Sequence, residues 1–305
     1  MNKIYTIIFA ISVALTIGAV VAFAIFGLKL GVDFKGGSIM EISFSGERPL
    51  SADIRGLLKE SLPEHEFSFN EVGNSGLVIR SGELPEENHQ KILEIIKGKY
   101  TGQTVEENSF DSIGPVIGQE LKNKSIKAIV IVLLAVIIYI AFVFRKMTVV
   151  LSPWAMGAAA ITALFHDIII PIGIFSILGH YLNVEISAVF VAAILTILGY
   201  SVSDTVVIFD RIRENVIKNK MREDFGEVVH ISIMQTLTRS LNTTFTTLIS
   251  LIAIYLFGGD SLKYFALALI IGIFLGAYSS IFVASPLLVW SSGWLNKKQK
   301  SGKKN

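Results

Sequence analysis

Six stretches of this 305-residue chain are apolar over lengths at or near the twenty or so residues that cross a bilayer. They are Ile4–Leu28, Ile126–Phe144, Val149–Leu178, Ile186–Phe209, Thr238–Phe257 and Leu262–Trp290. In hydrocarbon every backbone N–H and C=O must be satisfied within the segment, so such runs fold as helices. The composition agrees: 52% of residues are hydrophobic and only 17% charged, which fits an integral membrane protein. The third and sixth runs are long enough to imply tilt or a kink, and Pro171 offers one in the third. The first run follows Lys3 and lacks a small-residue cleavage pattern, so it reads as a retained anchor. With no cysteine, disulfides, thiolate chemistry and cysteine-based metal sites are excluded.

Lysine and arginine set the orientation. Lys3, Arg145, Lys146, Arg211, Arg213, Lys218, Lys220, Arg222 and the tail Lys297, Lys298, Lys300, Lys303 and Lys304 fall on one side. Both termini are therefore expected in the cytoplasm, and residues 29–125 outside. The domain expectation is an anchor over 1–28, an external domain over 29–125, a five-span bundle over 126–290 and a basic cytoplasmic tail over 291–305. The external segment carries 11 Lys and Arg against 16 Asp and Glu. It shows no basic patch of the kind nucleic acid requires.

The external segment reads as a small α+β domain. Ser38–Ser45 alternates polar and apolar residues, a half-buried strand. Ser51–Leu62 places Ile54, Leu57 and Leu58 on one helical face behind a serine cap. Phe67–Val72 and Leu77–Arg80 flank Gly73-Asn74-Ser75-Gly76, a hairpin signal. Glu86–Lys99 is helical and Thr104–Phe110 is the last strand. The order βαββαβ is the ferredoxin-like arrangement, which hosts many functions and specifies none. Between the fourth and fifth spans, Asp210–Leu237 puts Phe225, Val228, Val229 and Ile233 on one face. It reads as a separate cytoplasmic helix, either lying on the inner membrane surface or serving as a plain connector.

Polar residues inside the apolar spans are the candidates for chemistry. Asp204 is the foremost, because a carboxylate at membrane depth costs roughly 3 kcal/mol on insertion scales. Ser201 and Tyr200 precede it by three and four residues. The start of the fifth span carries Gln235, Thr236, Arg239, Asn242, Thr243 and Thr246 at spacings of three and four, a polar stripe on one helix. Arg239 is always charged and needs an anion, and Asp204 is the nearest by depth. A pair whose separation changes would let the carboxyl gain and lose a proton, with Ser201, Thr243 and Thr246 holding relay waters. A static ion pair fixing helix register is the alternative.

His166-Asp167 lies within the third span and reads as supporting polar structure. A histidine–aspartate metal site is rejected, since His65, His89, His180 and His230 read as loop or peripheral residues. An intramembrane aspartyl protease pairing Asp167 with Asp204 lacks the expected Gly-x-Gly-Asp, since Ser201-Val202-Ser203-Asp204 stands in its place. Gly272-x-x-x-Gly276 permits close helix approach but is common by chance.

Three of these motifs carry a resemblance. Gly31-Val32-Asp33-Phe34-Lys35-Gly36-Gly37 resembles the signature after the first span of the SecD/SecF family of protein-export membrane proteins. The run from Gly199 through Asp204 to Asn215 is similar to that family's fourth-span signature, and Arg239-Ser240-Leu241-Asn242-Thr243-Thr244 to its fifth-span motif. His166-Asp167 also matches. The resemblance spans nearly the whole chain, with Ser203 standing where Asn is frequent.

The resemblance implies a six-span bundle of the RND superfamily with one external domain, and a non-enzymatic subunit without cofactor. It would pair with SecD, act with the SecYEG channel and a YidC-type insertase, and use the proton-motive force to draw an unfolded polypeptide across a bacterial cytoplasmic (inner) membrane. Asp204 and Arg239 would belong to the proton path, with Thr243 beside them. Asp33, Gly36 and Gly37 read as a hinge where the first helix meets a strand, since paired glycines permit a sharp turn. Two rivals remain: half of an RND-type small-molecule exporter, and an uncoupled structural subunit of the translocon.

Overall fold

The computed structural model describes residues 3–144, 153–219 and 224–292. Arg145, Lys146, Lys220, Arg222 and the basic tail, which carry part of the orientation argument, lie outside the described residues. The chain divides into two compact units, Leu30–Ile126 and Met1–Lys29 with Lys127–Asn305.

After α1 (Lys3–Phe26) comes a one-turn helix, α2 (Val32–Lys35). The smaller unit then runs β1 (Gly37–Phe44), α3 (Ser51–Ser61), β2 (Ser68–Val72), β3 (Gly76–Ser81), α4 (Glu86–Lys99) and β4 (Val105–Ile113). All strand pairs are antiparallel and the order across the sheet is β2-β3-β1-β4, the ferredoxin-like order. Alternation in β1 works as its sequence implies, with Met40, Ile42 and Phe44 buried. They meet Ile54 and Leu58 of α3 and Ile92, Leu93 and Ile96 of α4. Each such side chain contributes about 1.5–3 kcal/mol on full burial.

Two details correct the sequence reading. Ser51 is not a cap: Leu50 holds that position without a side-chain bond, and the Ser51 hydroxyl donates to Glu71 Oε1 at 2.7 Å. His89 is not peripheral. It is buried in α4 with its ring stacked on Phe110, Nδ1 on Glu86 and Nε2 2.7 Å from Glu107. The Glu86 carboxyl is held below its ordinary range by hydrogen bonds from Gln90 and His89.

The larger unit is helical: α1, then α5 (Pro115–Val143, of which the part from Lys127 belongs to this unit), α6 (Pro153–Leu182), α7 (Ala188–Asn219), α8 (Phe225–Phe257) and α9 (Asp260–Ser279). A π-turn at Ser280–Ala284 follows α9, and the helix resumes to Ser292. Six helices are thus long and apolar enough to cross a membrane. α6 runs unbroken through Pro171. The expected cytoplasmic helix over 210–237 is not separate. Its first part is the end of α7 and its last part the beginning of α8, which starts at an Asp224 cap accepting from the Gly226 N–H. The apolar face of that stretch is used up inside the protein, because Val228, Val229 and Ile233 pack into the bundle core with Phe209 and Ile212.

Small residues set how closely the helices approach. A Cβ on Gly173 would lie 2.5 Å from the Ala19 Cα, so α1 and α6 touch backbone to backbone. A Cβ on Gly272 would lie 2.2 Å from Ile197 Cδ1, and one on Gly276 3.2 Å from Ser201 Cβ. These place α9 tightly against α7 at the level of the polar residues.

Candidate functional site: carboxylates at the α6, α7, α8 and α9 contacts

α7 carries the central residue. Asp204 lies near its middle and is half-buried on the side facing α8. Its Oδ1 accepts a hydrogen bond from Ser240 Oγ at 2.6 Å. Its Oδ2 is buried and, among the described residues, receives no hydrogen bond of regular geometry, although the Ser280 hydroxyl stands close enough to act on the carboxyl. One turn earlier, the Tyr200 hydroxyl meets Thr244 Oγ1 at 2.9 Å. Toward the other end of the helix pair, Asn215 Nδ2 donates to Ser232 Oγ and Gln235 Oε1, and Arg211 Nε donates to the same Gln235 oxygen. The α7–α8 seam is therefore polar along much of its length.

The residues of α8 in this seam are only partly the expected ones. The buried row is Ser232, Thr236, Ser240 and Thr244, spaced by four. Of the row singled out from sequence, Gln235 and Thr236 belong to the seam, while Arg239, Asn242, Thr243 and Thr246 are exposed beside it. Thr243 and Thr246 turn their hydroxyls onto carbonyls of their own helix. Arg239 is close enough for its charge to act on Asp204, but the two make no ion pair within 4.0 Å among the described residues. The direct partner is Ser240. An unbroken spacing of four small hydroxyl residues was the available signal, and it was masked because serine and threonine bury without looking costly.

Ser201 also has a different partner. Its hydroxyl donates to Asp167 Oδ2 at 2.6 Å, not to Asp204. Ser279 Oγ of α9 donates to the same oxygen at 2.6 Å, and His166 Nδ1 lies 2.8 Å from Oδ1. Asp167 is 0% exposed. The next serine along α9, Ser280, begins the π-turn and bonds Thr205 Oγ1 at 2.9 Å. Thr205 is the neighbour of Asp204, so consecutive serines of α9 reach the environments of both carboxylates. A π-turn inserts an extra residue per turn and re-aims side chains, and such turns are frequent at functional sites.

Asp33, Gly36 and Gly37 lie apart from this network, in the smaller unit. Asp33 is in the one-turn helix α2. Gly36 has φ +80° and Gly37 φ +128°, both left-handed. A Cβ at Gly36 would lie 2.7 Å from Pro115 Cα, and one at Gly37 2.8 Å from the Ser81 carbonyl oxygen. The glycines thus serve a close backbone approach as well as a turn. Gly37→Ala is expected to destabilise the chain by about 1–3 kcal/mol, since backbone strain and the clash both act. A melt of the purified variant with unchanged midpoint would remove this reading.

A lipid-spanning helix bundle with buried, hydrogen-bonded carboxylates at its helix contacts, joined to a small α+β unit, defines a polytopic membrane protein of the transport class. The comparisons make that class specific. The family described as "Protein export membrane protein SecD/SecF, C-terminal" matches residues 94–294, and the "SecD/SecF GG Motif" matches residues 21–47. The chain belongs to the SecD/SecF family. It is 42% identical to the protein translocase subunit SecF of Thermobaculum terrenum, covering 95% of this chain and 92% of the relative. Its identity to the SecF of Anaerolinea thermophila is 41%, over 94% of this chain and 93% of that one. The crystal structure of SecDF, a translocon-associated membrane protein from Thermus thermophilus, superposes with a TM-score of 0.79 at 33% identity. The match covers 96% of this chain but only 38% of SecDF, so the chain corresponds to a minority of that longer polypeptide.

Proposed function

We propose that this chain is the SecF subunit of a SecD–SecF complex. In this reading the complex assists Sec-dependent translocation across a bacterial cytoplasmic membrane and is driven by the proton-motive force. The observation that carries the reading is Asp204: a carboxyl group within a membrane span, one oxygen held by Ser240 and the other buried near Ser280 with no hydrogen bond of regular geometry among the described residues. An unmet buried acceptor calls for an explanation, and an arriving proton supplies one. Protonation turns that carboxyl oxygen into a donor and removes the charge that Arg239 feels. The α7–α8 contact then has two arrangements, one for each protonation state.

The exposed face of α8 supports a SecD partner. Arg239, Asn242 and Thr243 lie exposed among Leu241, Phe245 and Ile249. A permanent cation on a lipid-facing surface is costly, so a second set of helices must cover it. SecD is that covering chain, and it brings the anion that completes the site. The residue 30–126 unit stands outside, both termini are cytoplasmic, and the glycine pair is the pivot between the first span and the sheet. The SecYEG channel, a YidC-type insertase and the translocating polypeptide are the further partners.

The test is complementation. In a SecF-depleted bacterium, this chain co-expressed with the SecD of its own source should restore export of a secreted precursor, and the two should co-purify. Failure of both, with the chain present in the membrane at parental level, would overturn the assignment. Transport of small molecules by the purified chain alone would favour the exporter reading instead.

A further inference from the structure

Among the described residues the most completely enclosed carboxyl group is not Asp204 but Asp167, paired with His166. Asp167 Oδ2 accepts two hydrogen bonds of 2.6 Å, from Ser201 on α7 and Ser279 on α9. Its Oδ1 faces His166 Nδ1 at 2.8 Å. One carboxylate of α6 thus ties down two neighbouring helices, α7 and α9. His166 is 2% exposed, and its Nε2 is buried with no hydrogen-bond partner. Among the described residues, the polar groups bonded to or stacked on the dyad are hydroxyls: Ser201 from α7, Ser279 and Tyr278 from α9, and through Tyr278 the Ser12 hydroxyl of α1 at 2.8 Å. The next carboxyl group is Asp204, three residues beyond Ser201.

We propose that His166 and Asp167 together form a second proton-binding site of the bundle, whose occupancy sets how firmly α6 grips α7 and α9. In the unprotonated dyad the histidine is neutral, Nδ1–H donates to Oδ1, and Asp167 is a carboxylate. Both serine bonds are then charge-assisted, which makes them roughly twice as strong as neutral ones. Uptake of one proton gives either imidazolium facing carboxylate, or neutral imidazole accepting from a protonated Oδ1. In both forms Nε2 carries a hydrogen, so the atom now lacking a partner changes from acceptor to donor. In the second form the serines face a neutral carboxyl and the grip loosens. Ser279 and Ser280 are consecutive, and Ser280 holds Thr205 beside Asp204, so a shift of α9 at Ser279 reaches the surroundings of the first carboxyl. For its use in transport this rests on the proton-coupled reading above; the proton binding itself does not.

The test reads the dyad directly. The full chain, labelled with nitrogen-15 histidine and reconstituted in lipid nanodiscs, is titrated while the His166 nitrogens are followed by NMR. The His166→Gln variant assigns the signal, and if that variant fails to fold, replacing the other four histidines in turn assigns it by elimination. The expected result is an Nε2 resonance that changes from unprotonated to protonated as pH falls, with a midpoint that moves in Asp167→Asn. Because the chain has no native cysteine, spin labels at Ile177→Cys on α6 and Phe274→Cys on α9 report the grip. Their distance distribution should change over the same pH interval, and Ser279→Ala should abolish that change while leaving the Nε2 titration in place. An Nε2 signal invariant wherever the chain stays folded would overturn the proposal. So would a titrating Nε2 with an unmoved α6–α9 distance. Failure of the proton-coupled reading would show itself separately, as transport indifferent to Asp204.

Discussion

Asp204→Asn should insert and accumulate like the parent chain, pair with SecD, and fail to support proton-driven export. The asparagine is nearly isosteric and still accepts from Ser240, so the bundle loses no packing and keeps the 2.6 Å bond between α7 and α8. What it loses is the ability to exchange a proton. A membrane potential of 100 mV supplies about 2.3 kcal/mol for each charge moved across, worth roughly fifty-fold in the balance of two states. With no titrating group, that bias has nothing to act on. Precursor export should fall to the level of cells lacking the chain, at matched membrane abundance. Ser240→Ala is the graded companion: it keeps the carboxyl and strips its hydrogen bond to α8, so export should fall partially and with an altered pH profile. Normal export by Asp204→Asn would end the coupling hypothesis while leaving family membership untouched. Full tolerance of Asp204→Asn combined with Arg239→Gln would favour the uncoupled structural subunit.

The two halves of the chain differ in how far they can be read without coordinates. The βαββαβ order, the Gly73–Gly76 hairpin and the bounds of α4 follow from period-two and period-3.6 patterns that a small soluble core enforces. The six spans follow from apolar length alone. The contacts between spans do not, because in lipid nearly every face of a helix is apolar and periodicity no longer marks the inside. Polarity was the remaining guide, and it pointed to the conspicuous residues Arg239, Asn242 and Thr243, which are exposed in this chain. The buried partners of the carboxylates are serines (Ser240, Ser201, Ser279), whose hydroxyls could equally have bonded to their own helices. The π-turn at Ser280–Ala284 has no signal of its own in sequence, since it differs from an ordinary helix by one residue in a turn.

Gly272 makes the dependence of chemistry on packing testable. α9 is the most enclosed of the six spans, and it reaches α7 through Gly272 and Gly276. Even one methyl group on Gly272 would overlap Ile197, which is fully buried and has no space to retreat into. Gly272→Ala should therefore push the two helices apart, at an overpacking cost of about 1–3 kcal/mol. The geometry at stake lies a turn or two further on. The serine bonds at 2.6 Å join Asp167 of α6 to Ser201 of α7 and to Ser279 of α9, so one carboxylate oxygen depends on where both of those helices stand. A shift of about half an ångström at Gly272 would stretch and weaken them, since O–H···O bonds fall off beyond about 3 Å, so export should suffer more than stability does. Gly272→Ala should lower thermal stability measurably and impair export strongly, although it touches no polar group. Ile197→Ala opens room for the added methyl, so the double variant Gly272→Ala/Ile197→Ala should recover export relative to Gly272→Ala alone. Two independent losses that simply add would mean that the spacing of α7 and α9 is not what holds the carboxylates in place.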